Sequence, residues 1–165
     1  MPLGDEAPDI ERIAETIHSS YLEQHLASGH RLGSIPALVS WDELPADYRD
    51  ADRAQARDIL AKLASIGAHV EAARGSQVAP GFAFTAAEID MLARREHARW
   101  RDHKLSRGWT LGPRDEARRT HPCLVPYDDL PEAERQKDSD VVVSIPSLLA
   151  LSGYRIVRDC PEPGH

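Results

Sequence analysis

Apolar residues spaced three or four positions apart predict a long helix near the start of the chain. Asp9 is a residue type that caps helix amino termini, and Gly29 is typical of a helix end. The residues that share the apolar face between them are Ile10, Ile13, Ile17 and Tyr21. A predicted helix of about twenty residues is about 30 Å long.

A second helix with the same character is predicted in the later part of the chain. Thr85 and Glu88 have capping-box spacing, in which each side chain accepts a hydrogen bond from a free backbone amide of the first turn. Gly108 is placed to end this helix. Its apolar face consists of Ile89, Leu92, Ala93 and Trp100.

Each of these helices is followed by the same short block of sequence, Leu-Val-x-aromatic-Asp-acid-Leu-Pro. The block occupies residues 38–45 in the first case and 124–131 in the second. Its apolar Leu-Val pair is predicted to form a short strand. The closing residues, Pro45 and Pro131, stop that strand or open the next turn, because proline does not donate to a strand ladder.

Two further helices are predicted, over residues 52–66 and roughly 138–152, ended by Gly67 and Gly153. Proline interrupts helical hydrogen bonding, so Pro146 indicates either a kink or a late start with Ser144 as the cap. Brief strands are predicted to follow these helices, over residues 68–70 and 154–157.

The elements recur because the sequence itself repeats. Residues 36–70 align with residues 122–156 without a gap, with 12 identities in 35 positions. Residues 9–29 align with residues 88–108, and the two offsets differ by a seven-residue insertion just after Gly108. Two copies of one unit commonly pack about a pseudo-twofold axis, because each apolar face is buried against its twin.

The predicted fold class is therefore mainly α with short β-strands (α+β). It consists of two pseudo-twofold-related repeats, each with two helices and short antiparallel strands. The predicted organisation is a flexible tail over 1–8, a first repeat over 9–70, a linker over 71–84, a second repeat over 85–158 and a tail over 159–165.

The charge of the chain limits the classes of molecule that it is expected to bind. The net charge of −7 argues against a nucleic-acid binder, which needs a basic surface. The segment from Arg94 to Arg119 is nevertheless basic, with nine Lys and Arg against four Asp and Glu, which fits either solvated helix faces or a small-anion site. Cys123 and Cys160 lack metal-site spacing and are predicted to be reduced thiols. No signal sequence or membrane span is predicted, so we expect a cytoplasmic protein that binds no membrane.

Several motifs of the second copy, in their order, resemble the ryanodine receptor repeat, which occurs in tandem pairs in calcium-release channels and in small prokaryotic proteins. The resemblance covers residues 88–157, whereas residues 9–70 resemble a degenerate repeat with Tyr21 in place of the usual tryptophan. The motifs are His97-Ala-Arg-Trp100, Gly108-Trp-Thr-Leu-Gly112, His121-Pro-Cys-Leu-Val-Pro-Tyr127 and Leu148-Leu-Ala-Leu-Ser-Gly153-Tyr.

The resemblance implies two pseudo-symmetric repeats with a cleft between them, in which the His-x-x-Trp positions clamp an adenine base. It also implies that basic residues four positions further along reach the phosphates, and that prokaryotic members sense nucleotide-derived signals. The matching residues in this chain are His18, Tyr21 and His25 in the first copy, and His97, Trp100 and Lys104 in the second.

The residues support such a site partly by themselves. Side chains three positions apart, such as His97 and Trp100, share a helix face, and an aromatic ring that stacks on a base contributes about 1–3 kcal/mol. Lys104, with Arg101 near it, is suited to a pyrophosphate. The alternative from the same pattern is that Tyr21 and Trp100 form core between the repeats, with the two histidines satisfied inside.

Three functions follow as hypotheses. The first is a non-catalytic module that binds a small anionic nucleotide of the ATP or ADP-ribose type, without a cofactor or metal. The second is a protein-interaction or scaffolding module, whose effector partner the sequence does not identify. The third is an enzyme, for which Glu96 is the one nearby carboxylate, about a hundred degrees around the helix from His97. We expect the chain not to be an enzyme.

Overall fold

A computed structural model describes residues 7–73 and 81–159. These residues form four α helices, Ile10–Ala27 (α1), Ala46–Ser65 (α2), Ala86–Ser106 (α3) and Glu132–Leu151 (α4). They also form four short strands, Ala68–Ala72 (β1), Thr110–Leu111 (β2), Thr120–His121 (β3) and Tyr154–Arg158 (β4). The prediction of a mainly helical chain with short strands is confirmed. No helix within the described ranges is long and apolar enough to cross a membrane.

The chain divides into two compact units. The first comprises Met1–Phe82 with Pro146–His165, and the second comprises Ala83–Ile145. The predicted repeat boundaries, 9–70 and 85–158, stay a prediction. Parts of the predicted tails and linker (residues 1–6, 74–80 and 160–165) lie outside the described residues, and so does Cys160.

The predicted amino-terminal caps of α1 and α3 are confirmed. The carboxylate of Asp9 accepts a hydrogen bond from the backbone N–H of Arg12 at 3.2 Å. Thr85 and Glu88 form the full capping box, with distances of 3.1 Å and 2.9 Å between each side-chain oxygen and the backbone nitrogen of the other residue. The glycines that follow the four helices all have positive φ, which favours glycine there. They are Gly29, Gly67, Gly108 and Gly153.

Loss of the α3 cap is expected to destabilise the protein measurably. Thr85→Ala leaves the backbone amide of Glu88 without its hydrogen bond, at a cost of about 1 kcal/mol. The shift of the urea unfolding midpoint measures this cost. Thr16→Ala is the control, since that hydroxyl donates only to the Arg12 carbonyl in the middle of α1. Equal midpoint shifts for the two variants would contradict a capping role for Thr85.

The first unit is built on α1, α2 and a two-stranded sheet. Strand β1 pairs antiparallel with β4, and Val70 lies opposite Ile156, its counterpart in the sequence repeat. The backbone N–H of Asp9 donates to the Tyr154 hydroxyl at 2.8 Å, which ties the start of α1 to β4. The sheet therefore joins strands that come from both copies of the sequence repeat. Core side chains of this unit include Ile13, Ala14, Leu38, Ile59 and Leu63.

The predicted starts of the second helices were wrong by six residues. Helix α2 begins at Ala46 and α4 at Glu132, immediately after Pro45 and Pro131. Proline is tolerated at helix starts because no intrahelical donor is lost there. The first turns are largely exposed, so apolar spacing does not reveal them.

The alternative of a late start for the fourth helix is also wrong. Ser144 lies inside α4 and its hydroxyl donates to the Val141 carbonyl at 2.7 Å, so it is not a cap. Pro146 follows within the same helix.

The Leu-Val pairs at 38–39 and 124–125 do not form the predicted strands. Their leucine side chains are buried, and their valine carbonyls accept hydrogen bonds from histidine rings instead of from a strand partner.

The second unit contains a strand pair that the sequence analysis did not predict. Strands β2 and β3 pair in parallel, whereas the predicted strands were antiparallel. The backbone N–H of Thr110 donates to the Arg119 carbonyl at 2.9 Å. The pair closes a loop that includes the seven-residue insertion of the second copy.

Candidate functional site

The second unit places a buried histidine at the junction of three segments. His97 lies on α3 with 4% of its surface exposed. Its Nε2 donates to the Val125 carbonyl at 2.7 Å, and its Nδ1 lies 3.6 Å from a carboxylate oxygen of Asp138 on α4. Both ring nitrogens therefore have partners, which fixes the orientation of the ring.

The first unit contains the same local arrangement. His18 on α1 donates through Nε2 to the Val39 carbonyl at 2.6 Å, and its Nδ1 lies 3.8 Å from Asp52 on α2. The aligned positions in the second copy are His97, Val125 and Asp138. The sequence repeat is therefore accompanied by a recurring set of contacts in each unit, while the pseudo-twofold relation stays a prediction.

Burial of Asp52 makes stability depend on pH. Burial raises the pKa of this carboxyl to about 6 from 3.8, although His18 opposes the shift. The folded chain therefore holds a proton that the unfolded chain releases between about pH 4 and 6. The contribution of this group to stability is fully present below about pH 4 and is lost as the pH rises through 6.

Asp52→Asn is expected to flatten the pH profile of stability. The variant lacks the titrating group, so the urea midpoint should fall less between about pH 4 and 6.5 than in the unmodified chain. The exposed Asp47→Asn serves as the control, and its profile should follow the unmodified chain. An unchanged slope in Asp52→Asn would contradict the assignment.

Trp100 lies one turn after His97 and is in contact with two imidazole rings. The His97 ring is stacked beside the indole, with centroids 5.7 Å apart and an interplanar angle of 27°. His121 meets the indole edge-on at 4.9 Å. Trp100 is half-buried, so these contacts hold the indole in one orientation while leaving part of it accessible.

The corresponding aromatic of the first unit is covered more closely. Tyr21 lies 6.2 Å from His18, and the His25 ring is 4.2 Å from the Tyr21 ring. His30 in turn contacts His25 edge-on at 5.2 Å. The first unit thus brings its three predicted site residues together as a cluster of rings in contact.

A cavity of about 220 Å³ opens beside Trp100 within the second unit. Residues of α3, of the loop that follows it and of α4 line this cavity. Leu130 and Cys123 provide apolar surface, and burial is the main cause that raises the pKa of the Cys123 thiol. The charged side chains on the wall are Arg114, Glu134, Lys137 and Asp138.

The charged side chains of the wall are not equivalent. Lys137 Nζ lies 3.0 Å from a Glu134 oxygen, and this hydrogen bond is the main cause that lowers the pKa of Glu134. Asp138 faces His97. Arg114 is exposed and makes no hydrogen bond or ion pair with other residues in 7–73 or 81–159. The cavity therefore contains one cation that forms no salt bridge among them, although its charge helps to lower the pKa of Glu134.

His121 adds a hydrogen-bond donor to the cavity wall. Its Nδ1 accepts a hydrogen bond from the backbone N–H of Cys123 at 3.1 Å, so Nε2 carries the proton in the neutral ring. Burial is the main cause that lowers the pKa of His121, and nearby Arg114 and Lys104 lower it further. The ring is therefore held neutral, with Nε2–H as its donor.

Arg101 and Lys104, the predicted phosphate-binding residues of the second copy, do not line this cavity. Lys104 Nζ lies 4.1 Å from the centre of the Trp109 ring, a cation–π contact that holds the indole against α3. Arg101 has a buried Nε without a hydrogen-bond partner. Their role toward a ligand stays a prediction.

Sequence reasoning missed seven of the nine residues that line this cavity, including Leu130 and Asp138. His121 begins the His121–Tyr127 motif, and Arg114 lies in the basic segment and in the insertion, so both had a sequence signal. No local pattern distinguishes Glu134 or Lys137 from solvated helix charges. Cys123 was recognised only as a thiol.

Glu96, the carboxylate considered for an enzymatic role, forms an ion pair with Arg99. Glu96 is 4% exposed, and its two oxygens lie 2.6 Å and 3.0 Å from guanidinium nitrogens of Arg99. Within the described ranges, no group of three or more His, Cys, Asp and Glu residues is placed to hold a metal ion.

Comparison with protein families supports the motif-based resemblance. The model of the RyR domain matches residues 85–158. The match covers α3, both strands of the parallel pair, α4 and β4, and thus includes every residue that lines the cavity. Residues 85–158 of the chain are therefore similar to the RyR domain family.

Proposed function

We propose that this protein is a binding module for a small anionic nucleotide, either an adenine nucleotide or an ADP-ribose-like molecule. The observation that carries the proposal is the cavity beside Trp100, whose wall combines an aromatic face with hydrogen-bond donors and cations. An indole face suits a nucleobase, and each stacking contact contributes about 1–3 kcal/mol. Guanidinium and ammonium groups suit phosphate oxygens.

The residues have separate roles in this proposal. Trp100 stacks on the base, and His97 holds the indole in place because its own ring is fixed by Val125 and Asp138. His121 donates through Nε2 to an acceptor of the ligand. The family resemblance also implies a contribution of Tyr21 and its neighbours, and the proposal includes it.

The contacts of the carboxylates support binding of the nucleotide without catalysis. A carboxyl group that acts as a general acid or base must lie within hydrogen-bond reach of the reacting atoms. Glu96 is held by Arg99, Glu134 by Lys137, and Asp138 faces His97. We therefore expect the bound nucleotide to be released unchanged.

Calorimetric titration of the purified chain tests the proposal. The panel is ATP, ADP, ADP-ribose, cyclic ADP-ribose and GTP. We expect micromolar affinity for at least one adenine compound and weaker binding of GTP. Absence of binding across the panel, from a chain with a cooperative unfolding transition, would contradict the proposal and favour the scaffolding alternative.

Turnover is checked on the same samples. Chromatography of the nucleotides after prolonged incubation should recover them unchanged. Conversion of a nucleotide that disappears in Glu96→Gln would contradict a non-catalytic role.

A further inference from the structure

The cavity in the second unit contains a cationic pair that the first copy cannot reproduce. Arg114 lies in the seven-residue insertion after Gly108, which has no counterpart in the first copy. Lys137 aligns with Ala51, and Glu134 aligns with Tyr48. The buried histidine, the carbonyl and the aspartate recur in both copies, whereas these charges occur only in the second.

Arg114 is available to an anion because no hydrogen bond or salt bridge among the described residues holds its guanidinium group. It makes no hydrogen bond or ion pair with the residues that the structure describes. The neighbouring Asp115 lies 3.7 Å from Arg118. A guanidinium group binds phosphate oxygens through two parallel N–H donors, which gives it both strength and geometric preference.

Lys137 forms an ion pair with Glu134 that a bound anion can replace. Its ammonium group lies 3.0 Å from Glu134, and both side chains are partly exposed. Surface ion pairs of this kind contribute about 0–1 kcal/mol, so breaking one costs little. A phosphate of higher charge competes well with the carboxylate for the same ammonium group.

The predicted alternative, Lys104, contacts an aromatic ring outside the cavity. Its ammonium group lies over the Trp109 ring at 4.1 Å. Cation–π contacts at exposed sites contribute about 0.5–1 kcal/mol, comparable with the Lys137–Glu134 pair. The two lysines differ in their position, because Lys137 lines the cavity and Lys104 does not.

From these observations we propose that Arg114 and Lys137 together bind a terminal phosphate of the nucleotide, with Glu134 displaced from Lys137 when the phosphate enters. This inference rests on the proposed function and specifies its ligand class. The cavity volume of about 220 Å³ is below the range of about 300–1,000 Å³ typical for drug-sized ligands. The cavity therefore takes a compact group, and a phosphomonoester carries more charge to the two cations than the diester linkages of ADP-ribose.

The test is calorimetric titration of the full chain with adenosine, AMP, ATP, ADP-ribose and inorganic pyrophosphate. In the unmodified chain, AMP and ATP should bind at least about tenfold more tightly than adenosine and ADP-ribose. Arg114→Gln and Lys137→Gln should each weaken AMP binding about tenfold and leave adenosine binding unchanged. Glu134→Gln should tighten AMP binding, because it removes the competing carboxylate.

Two matched controls separate the proposed cations from the general basic character of this segment. Arg118→Gln removes a charge four residues from Arg114, from a side chain that is 83% exposed. Lys104→Gln removes the predicted alternative. Both should bind AMP as the unmodified chain does.

The outcomes distinguish this inference from the proposed function. If adenine nucleotides bind but Arg114→Gln and Lys137→Gln do not weaken them, the inference is wrong and the proposed function stands. Loss of AMP binding in Lys104→Gln would also overturn the inference. If no nucleotide binds but pyrophosphate does, and Arg114→Gln abolishes that binding, the proposed function is wrong and the anion site stands. If neither a nucleotide nor pyrophosphate binds, both the proposed function and this inference are wrong.

Discussion

Replacement of Trp100 by alanine is expected to reduce nucleotide binding by at least about tenfold, with little loss of the folded state. The indole provides the stacking surface beside the cavity, and loss of one base–aromatic contact costs about 1–3 kcal/mol. The side chain is half-buried, so its removal does not open the core around Leu92 and Ala93. Calorimetric titration with ATP measures the affinity, and urea unfolding measures the stability.

One aromatic variant serves as the control for Trp100→Ala, and another tests the contribution of the first copy. Trp109→Ala removes an indole that contacts Lys104 and does not line the cavity, so ATP affinity should be retained. Tyr21→Ala removes the counterpart of Trp100 in the first copy. Loss of binding in Tyr21→Ala as well would show that Tyr21 also contributes to nucleotide binding. A fully unfolded Trp100→Ala would instead indicate that the indole is core, as in the scaffolding alternative.

His97→Ala is expected to lower the free energy of unfolding by about 3 kcal/mol. The substitution leaves the Val125 carbonyl without its donor and Asp138 without the ring that it faces, and it opens a cavity at a 4% exposed position. Because His97 also positions Trp100, nucleotide affinity should fall in the same variant. The urea midpoint and the titration with ATP measure the two effects.

A histidine on the same helix provides the control for this effect. His103 is partly exposed and its ring makes no hydrogen bond within the described residues, so His103→Ala should cost less than half as much. His97→Gln retains an amide donor and should recover part of the loss. If His97→Ala and His103→Ala unfold at the same urea concentration, the buried histidine does not organise the second unit.

Much of the fold could be predicted because local chemistry determines it. Asp9 and the Thr85–Glu88 box satisfy backbone amides within one turn, so their positions in the sequence suffice to place the helix starts. The glycines after the helices adopt positive φ for equally local reasons. The starts of α2 and α4 could not be found in this way, since their first turns are exposed and leave no apolar pattern.

The site could be predicted only in part, because its residues come together through tertiary contacts. Spacing along α3 was enough to pair His97 with Trp100. The contacts of His97 with Val125 and Asp138 depend on how the loop and α4 pack against that helix. The direction of the Lys104 side chain toward Trp109 follows from the turn after α3, which helical spacing does not describe.

Stacking of a nucleotide on Trp100 can be observed directly by NMR. The chain has three tryptophans, and each indole N–H gives a signal in a ¹H–¹⁵N spectrum. The signals are assigned by single substitution of each tryptophan and followed while ATP is added. The proposed function predicts a saturable shift of the Trp100 signal, with those of Trp41 and Trp109 nearly unchanged. A Trp100 signal that does not move at millimolar ATP would contradict it.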